Sequence, residues 1–453
     1  MKKWLAFLGL AALAFAVGCG SGGGSTEPET PTKGAAAGEK PVELKGKLEV
    51  AAFKGGYDID FYQAAAKEFA AKHPGLEIEV WGNPTVWEQL RPRFNGDDPP
   101  GLCFPGWGMD HWALADEDQL FELSKALDGP GADGTGKWRD AFDPEILKLG
   151  QLDGKQYVLP FYVMILGWWY DPDVFAKNGW TAPKNYDELL ALCEKIKAKG
   201  IAPITFQGKY PYYMIDGMLL PWAMSVGGKE AVDAAQNLEP GAWKSPAMLE
   251  AARMIDNLNK KGYFQHGAVA LSHTESQQDF LNGKAAMVPC GSWLSSEMSK
   301  QMRPGQKIQF MLPPAAMNGK GDPTAVLIGI EPWMVPSKGK NTDAAIEFFK
   351  YMTSAPVAKR FVEEKNSPTA IVGSEDAKLN EVMVEPAKAF NSTKTKWAVQ
   401  YRAWYPAFNK VIEGKLTSML NGELTPEQFC DAVEAAAEEV RNDDEIKKHK
   451  LTG

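Results

Sequence analysis

Apolar residues recur with two periods along this chain, and the two alternate. Leu48, Val50 and Ala52 fall on every second position, the spacing of a strand with one buried face. After a Gly55-Gly56 turn, Phe61, Ala64, Ala65 and Phe69 recur at three and four, which predicts a helix. His73-Pro74-Gly75 stops it, and Leu76, Ile78 and Val80 alternate again as a second strand. This β-α-β order predicts parallel pairing with a right-handed crossover. The theme resumes near Tyr157. Asn185 and Glu188 have capping-box spacing ahead of Leu189, Leu192 and Ile196, and Gly200 ends that helix. Ile201 to Phe206 reads as a strand, and so does Leu327 to Val335. Asp343 to Thr353 reads as a helix with Ala345, Phe349 and Met352 on one face. From Ser374 the tail is largely helical and ends in the charged Glu427 to Lys450 stretch. No internal repeat is evident. The pattern is that of an α/β protein.

The first 44 residues follow a different logic. Met1-Lys2-Lys3 is cationic, Trp4 to Val17 is apolar and uncharged, and Ala16-Val17-Gly18 precedes Cys19. Basic, apolar and small-residue regions in that order read as a secretory signal peptide over 1–18. The apolar run is shorter than the roughly 20 residues a membrane span needs. A cysteine at the cleavage point resembles a bacterial lipobox, with Ala16 where leucine is usual, so Cys19 is the expected lipidation site. The alternative is an ordinary signal peptide cut nearby, with Cys19 a spare thiol. The stretch that follows, within 19–44, is rich in Gly, Ser, Thr, Pro, Ala and Lys. It has too little apolar surface to offset the entropy of ordering, so it reads as a tether.

The rest of the chain is long enough for two or three domains. The composition of the whole chain, 44% hydrophobic and 24% charged, is that of a soluble globular protein. The net charge of −9 becomes about −11 once Lys2 and Lys3 are removed, which argues against nucleic acid as a partner. Cys103, Cys193, Cys290 and Cys430 are far apart and lack metal-site spacing. Disulfides and isolated buried thiols both fit them.

From Leu152, "LDGKQYVLPFYVMILGWWYDPDVFAKNGW" runs straight into "TAPKNYDELLALCEKIKAKGIAPITF". Downstream come "FLNGKAAMVPCGSW" and "AAIEFFKYMTS". This ordered set resembles the signature of bacterial extracellular solute-binding proteins of the maltose-binding-like class. The usual Asn after the leading tyrosine is Asp171 here, and the usual Thr-Trp is Asn185-Tyr186. "FQGKYPYYM", "QNLEPGAWKSPA" and "LSHTESQQDFLNGKAAM" are most similar to receptors for N-acetylglucosamine and diacetylchitobiose. The resemblance implies a two-lobe periplasmic-binding-protein fold of type II with a ligand cleft between the lobes. It implies a first lobe of about 45–158 plus 325–372 and a second of about 159–324 plus 373–453. It also implies a sugar ligand, ABC permease subunits in the cytoplasmic membrane as partners, membrane contact through the lipid anchor, a monomer, and no cofactor or metal.

A pyranose presents apolar C–H faces and a rim of hydroxyls, so its site needs aromatic rings and polar side chains. By correspondence with the family, the candidates are Tyr57 and Asp58 near the first helix, and Trp107 and Asp110 in "GWGMDHW". Gln207 and Tyr210, Trp293 after Gly291-Ser292, and Trp404 in "RAWYPAF" complete the family positions. Glu331 and Trp333 join them from the third extended region. A hydroxyl-binding glutamate of the family is Met164 here, which argues against maltodextrin. Most of the fifteen tryptophans must be structural, and Trp168, Trp169 and Tyr170 are assigned to packing. Tyr212 and Tyr213 would not both face a cleft in an extended segment, and Asp216 reads as a helix-start residue.

A secreted glycoside hydrolase or a glycan-adhesion module would also carry aromatic subsites. A hydrolase needs two carboxylates about 5–9.5 Å apart. The sequence holds no G-x-S-x-G or H-E-x-x-H signature, and its five histidines show no ligand spacing. A binding protein rather than an enzyme is therefore the expectation.

Overall fold

The computed structural model describes residues 43–106 and 109–451. Cys19, the tether up to residue 42 and Trp107 lie outside them, and Leu44, expected at the tether's end, is buried in the core. The architecture is a mixed nine-stranded sheet with helices packed around it. Gly46–Ala52 pairs in parallel with Leu76–Trp81 on one side and Leu102–Phe104 on the other, as the β-α-β pattern requires. The helix between the first two strands, Asp60–Ala71, buries Phe61, Tyr62, Ala65, Ala66 and Phe69. Ala64, expected on that face, is exposed. A methyl group has little apolar area, so the larger ring of Tyr62 fixes the rotation of the helix.

Two long strands run through both halves of the sheet. Val158–Tyr170 has thirteen residues and all but Leu166 are buried, which explains its unbroken apolar sequence. Its first part pairs antiparallel with Val326–Met334, and its last part with Ala285–Gly291 and Gln309–Met311. Ala202–Ile204 completes the far edge and is shorter than the expected 201–206 strand. Where the two long strands meet, Pro332 faces Pro160 and the register shifts. Phe161 and Tyr162 there oppose the single residue Glu331, the geometry of a β-bulge.

The buried side chains form separate clusters over the two halves. One is drawn from residues between 44 and 164 and between 333 and 371, centred on Phe61, Phe161, Trp333 and Phe349. Another is drawn from residues between 168 and 287 and between 397 and 437, with Leu327 from the long strand, centred on Trp168, Trp222, Trp243 and Tyr401. Trp168, Trp169 and Tyr170 pack inside, as expected. Cys103, Cys193, Cys290 and Cys430 are all free and buried, so their spacing reflects isolated thiols. Among the described residues, no helix is long and apolar enough to cross a membrane.

The last helix ends at Asn442, earlier than the charged 427–450 stretch suggested. Beyond it the chain becomes a strap. His449 N–H donates to the Tyr405 hydroxyl at 2.8 Å, and Leu451 N–H to Asn237 Oδ1 at 2.8 Å. Lys447 reaches the other half, lying 2.5 Å from Asp116 and 2.7 Å from Asp153. Those carboxylates hold the lysine above its usual range.

Candidate functional site

The site grows from the carboxyl end of the strand Ala285–Gly291. All seven residues of that strand are buried, and Ser292 pins its end to the long strand through Ser292 N–H to Ile165 O at 2.8 Å. Trp293 follows at once and folds its ring back over Gly291. A Cβ at position 291 would lie 1.9 Å from that ring, so only glycine lets the indole take this pose. Trp293 is partly buried and meets Tyr213 edge-on, with centroids 6.1 Å apart. Tyr213 stacks on Tyr212 at 4.6 Å, and Arg402 lies over the Tyr212 ring at 5.3 Å. Trp404 is two residues further along that turn, beside Tyr405 and 5.8 Å from His449. A row of planar groups thus runs from Trp293 through Tyr213 and Tyr212 to Arg402, while Trp404, two residues on in the same helical turn, packs apart from it against Tyr405 and His449.

Tyr212 and Tyr213 stack because Tyr212–Met214 is helical and runs into a π-helical segment, Ile215–Leu219. The expected extended run would have splayed them. Asp216 lies inside this π segment and does not start a helix. It forms a two-pronged ion pair with Arg402, at 2.6 and 2.9 Å. The Asp216 and Arg402 side chains are 13% and 30% exposed, so the pair is sheltered and holds the guanidinium over the Tyr212 ring.

The turn Phe53–Asp58 from the other half of the sheet faces this row. Gly56 sits against it, with its Cβ position 3.9 Å from Trp293 Cβ and 3.5 Å from Glu297 Cβ. Asp58 is exposed, has φ of 56°, and pairs with Lys54 at 3.4 Å. Of the sequence candidates, Tyr210 and Trp293 join this ring cluster through Tyr212, Tyr213 and His273, Asp58 lies in the facing turn, and Trp404 packs apart. Tyr210 is 40% exposed and lies 5.7 Å from His273.

Other candidates are placed elsewhere. Trp333 and Glu331 are fully buried in the core of the first half, a correction to the expectation that they touch ligand. Tyr62 O–H donates to Glu331 Oε1 at 2.5 Å, and burial pushes the carboxyl up to about 8. Tyr57 is also buried, edge-on to Tyr162 at 4.9 Å, and burial pushes its hydroxyl up to about 12. Gln207 is fully buried and its amide donates to Pro289 O at 2.8 Å, so it braces the strand below the rings. Asp110 caps the helix His111–Asp116 by accepting from Trp112 N–H and Ala113 N–H at 3.1 Å. Among the described residues, no group of three or more His, Cys, Asp or Glu is placed to hold a metal ion.

Glu331 carries a pH dependence with a definite sign. Its folded-state value of about 8 lies above its ordinary 4.5, so the folded state binds the extra proton between those limits. Its contribution is fully present below about 4.5 and is lost as the pH rises toward 8. Denaturation of Glu331→Gln is expected to show a shallower loss of stability over this window, with convergence at acid pH. A parallel pH profile for both proteins would show that the carboxyl is ionised throughout.

Tyr212, Tyr213, His273, Glu297 and Arg402 were not among the sequence candidates. The one signal for Arg402 was its place two residues before Trp404 in an aromatic motif.

The profile for bacterial extracellular solute-binding proteins matches residues 55–359. Diacetylchitobiose binding protein NgcE of Streptomyces coelicolor is 27% identical over 447 residues, covering 97% of this chain and 95% of that one. A solved structure of a chitin oligosaccharide binding protein superposes with a TM-score of 0.73 at 23% identity, covering 87% of this chain and 98% of that one. The solute-binding protein RafE in complex with raffinose superposes at 0.68 with 20% identity, covering 87% and 99%. These likenesses show the two-lobe α/β fold of maltose-binding-like proteins. With two thirds of its length matched by the profile, the chain belongs to the bacterial extracellular solute-binding protein family.

Proposed function

We propose that this protein is the extracytoplasmic substrate-binding lipoprotein of a carbohydrate ABC importer, and that it captures an N-acetylglucosamine-containing saccharide such as diacetylchitobiose. The ring cluster of Trp293, Tyr213 and Tyr212 at the strand end carries this reading. Its rings offer the apolar faces that a pyranose needs, and the exposed Asp58 of the facing turn is a candidate hydroxyl partner. Near full-length similarity to a diacetylchitobiose binding protein supports the choice of sugar.

We take 45–158 plus 325–372 as one lobe and 159–324 plus 373–453 as the other. The long strands Val158–Tyr170 and Val326–Met334 would then supply the hinge, and a sugar touching both lobes favours the closed form by its differential affinity. The closed receptor would dock on the permease as a monomer, deliver the sugar intact and need no cofactor. Cys19 would hold it at the membrane, raising its effective concentration there. Labelling cells with a lipid precursor is expected to mark the native protein and leave Cys19→Ser unmarked; equal labelling would remove the anchor.

A thermal-shift screen of saccharides tests the reading. Diacetylchitobiose or a close relative is expected to raise the melting temperature, because a ligand of the folded state adds RT ln(1 + [L]/Kd). No response to any saccharide would overturn it.

A further inference from the structure

We propose that Glu297 is a ligand-binding carboxylate that receives the acetamido N–H of the sugar, beside rings that take its methyl group. This rests on the sugar reading above and makes it more specific. Glu297 ends the single helical turn Leu294–Glu297, four residues after Trp293. That spacing puts the carboxylate and the indole on one face. Gln277 Nε2 donates to Glu297 Oε2 at 2.9 Å, and His273 Nε2 lies 3.4 Å from Oε1. Gln277 is fully buried and its own Oε1 has no partner, so the amide is held in place to orient the carboxylate. A carboxylate offers about four acceptor positions, and these contacts use two.

The surroundings fit the two ends of an acetamido group. Tyr213 lies parallel to His273 at 6.4 Å and edge-on to Trp293, so rings cluster around the residue that holds the carboxyl. Glu297 is 22% exposed, sheltered enough to strengthen a hydrogen bond and open enough to be reached. A Cβ added at Gly56 of the opposite half would lie 3.5 Å from Glu297 Cβ and 3.9 Å from its Cα, so the subsite lies where the halves approach. An ionised carboxylate only accepts, and an acetamido N–H is a donor of fixed direction with a methyl group attached. A plain hydroxyl satisfies the acceptor and leaves the rings without that methyl.

Calorimetry with diacetylchitobiose and with cellobiose, which lacks acetamido groups, tests this on the mature chain. Wild type is expected to prefer diacetylchitobiose by at least about tenfold. Glu297→Ala is expected to lose about ten- to a hundredfold for diacetylchitobiose, bringing the two sugars within about threefold. The isosteric Glu297→Gln keeps the side-chain shape and is expected to lose severalfold, which decides the matter if the alanine variant does not fold. Undiminished preference in either variant would overturn the subsite and leave the sugar reading standing. Wild type that binds neither sugar would overturn the subsite, and failure to bind any saccharide of the thermal-shift screen would overturn the sugar reading as well.

Discussion

Trp333→Ala is expected to lower folding stability by about 3–5 kcal/mol while the folded protein still binds its ligand. Trp333 has no exposed surface. Its ring lies 5.1 Å from Tyr62, 5.6 Å from Phe349 and 5.8 Å from Phe104, from three separate parts of the chain. Truncation would leave a void that these rigid rings cannot close, next to a Glu331 carboxyl already short of partners. Denaturant melts and a binding titration on the same sample measure the two quantities. Near-native stability with lost affinity would put Trp333 back in the ligand site.

Trp293→Ala and Trp404→Ala are expected to show the reverse. Each should weaken binding by about 1–3 kcal/mol, ten- to a hundredfold in Kd, with a smaller loss of stability than Trp333→Ala. Both rings are partly buried, and each packs against two of the buried clusters. The Trp404 indole N–H is enclosed and has no acceptor, so a sugar hydroxyl would satisfy it. A titration that leaves Kd unchanged while the melting temperature falls steeply would make either residue a core tryptophan.

The contrast among these three tryptophans shows where sequence reading stops. Strands and helices were legible because a buried face imposes a period on its own segment. Leu48, Val50 and Ala52 needed no partner to be recognised, and Asn185 announced its helix by capping Glu188 N–H. The period does not say what lies on the far side of a face. Glu331 and Trp333 alternate like cleft residues, but helices and strands from both sides enclose them. The Asp216–Arg402 pair spans 186 positions, and nothing local marks either residue as the other's partner. Glu297 resembles any surface carboxylate of a short helix until Gln277 and His273 are seen to hold it. The motif order pointed to the right family because a whole fold constrains many short segments at once. Individual ligand contacts depend on tertiary neighbours that no segment specifies.

Calorimetric titration of the mature chain with diacetylchitobiose, followed by recovery of the sugar, tests the central claim most directly. A sugar-import receptor is expected to bind with one-to-one stoichiometry, and the disaccharide should be recovered unchanged after prolonged incubation. Absence of binding to this and every related saccharide, or hydrolysis that follows the protein through purification, would contradict it.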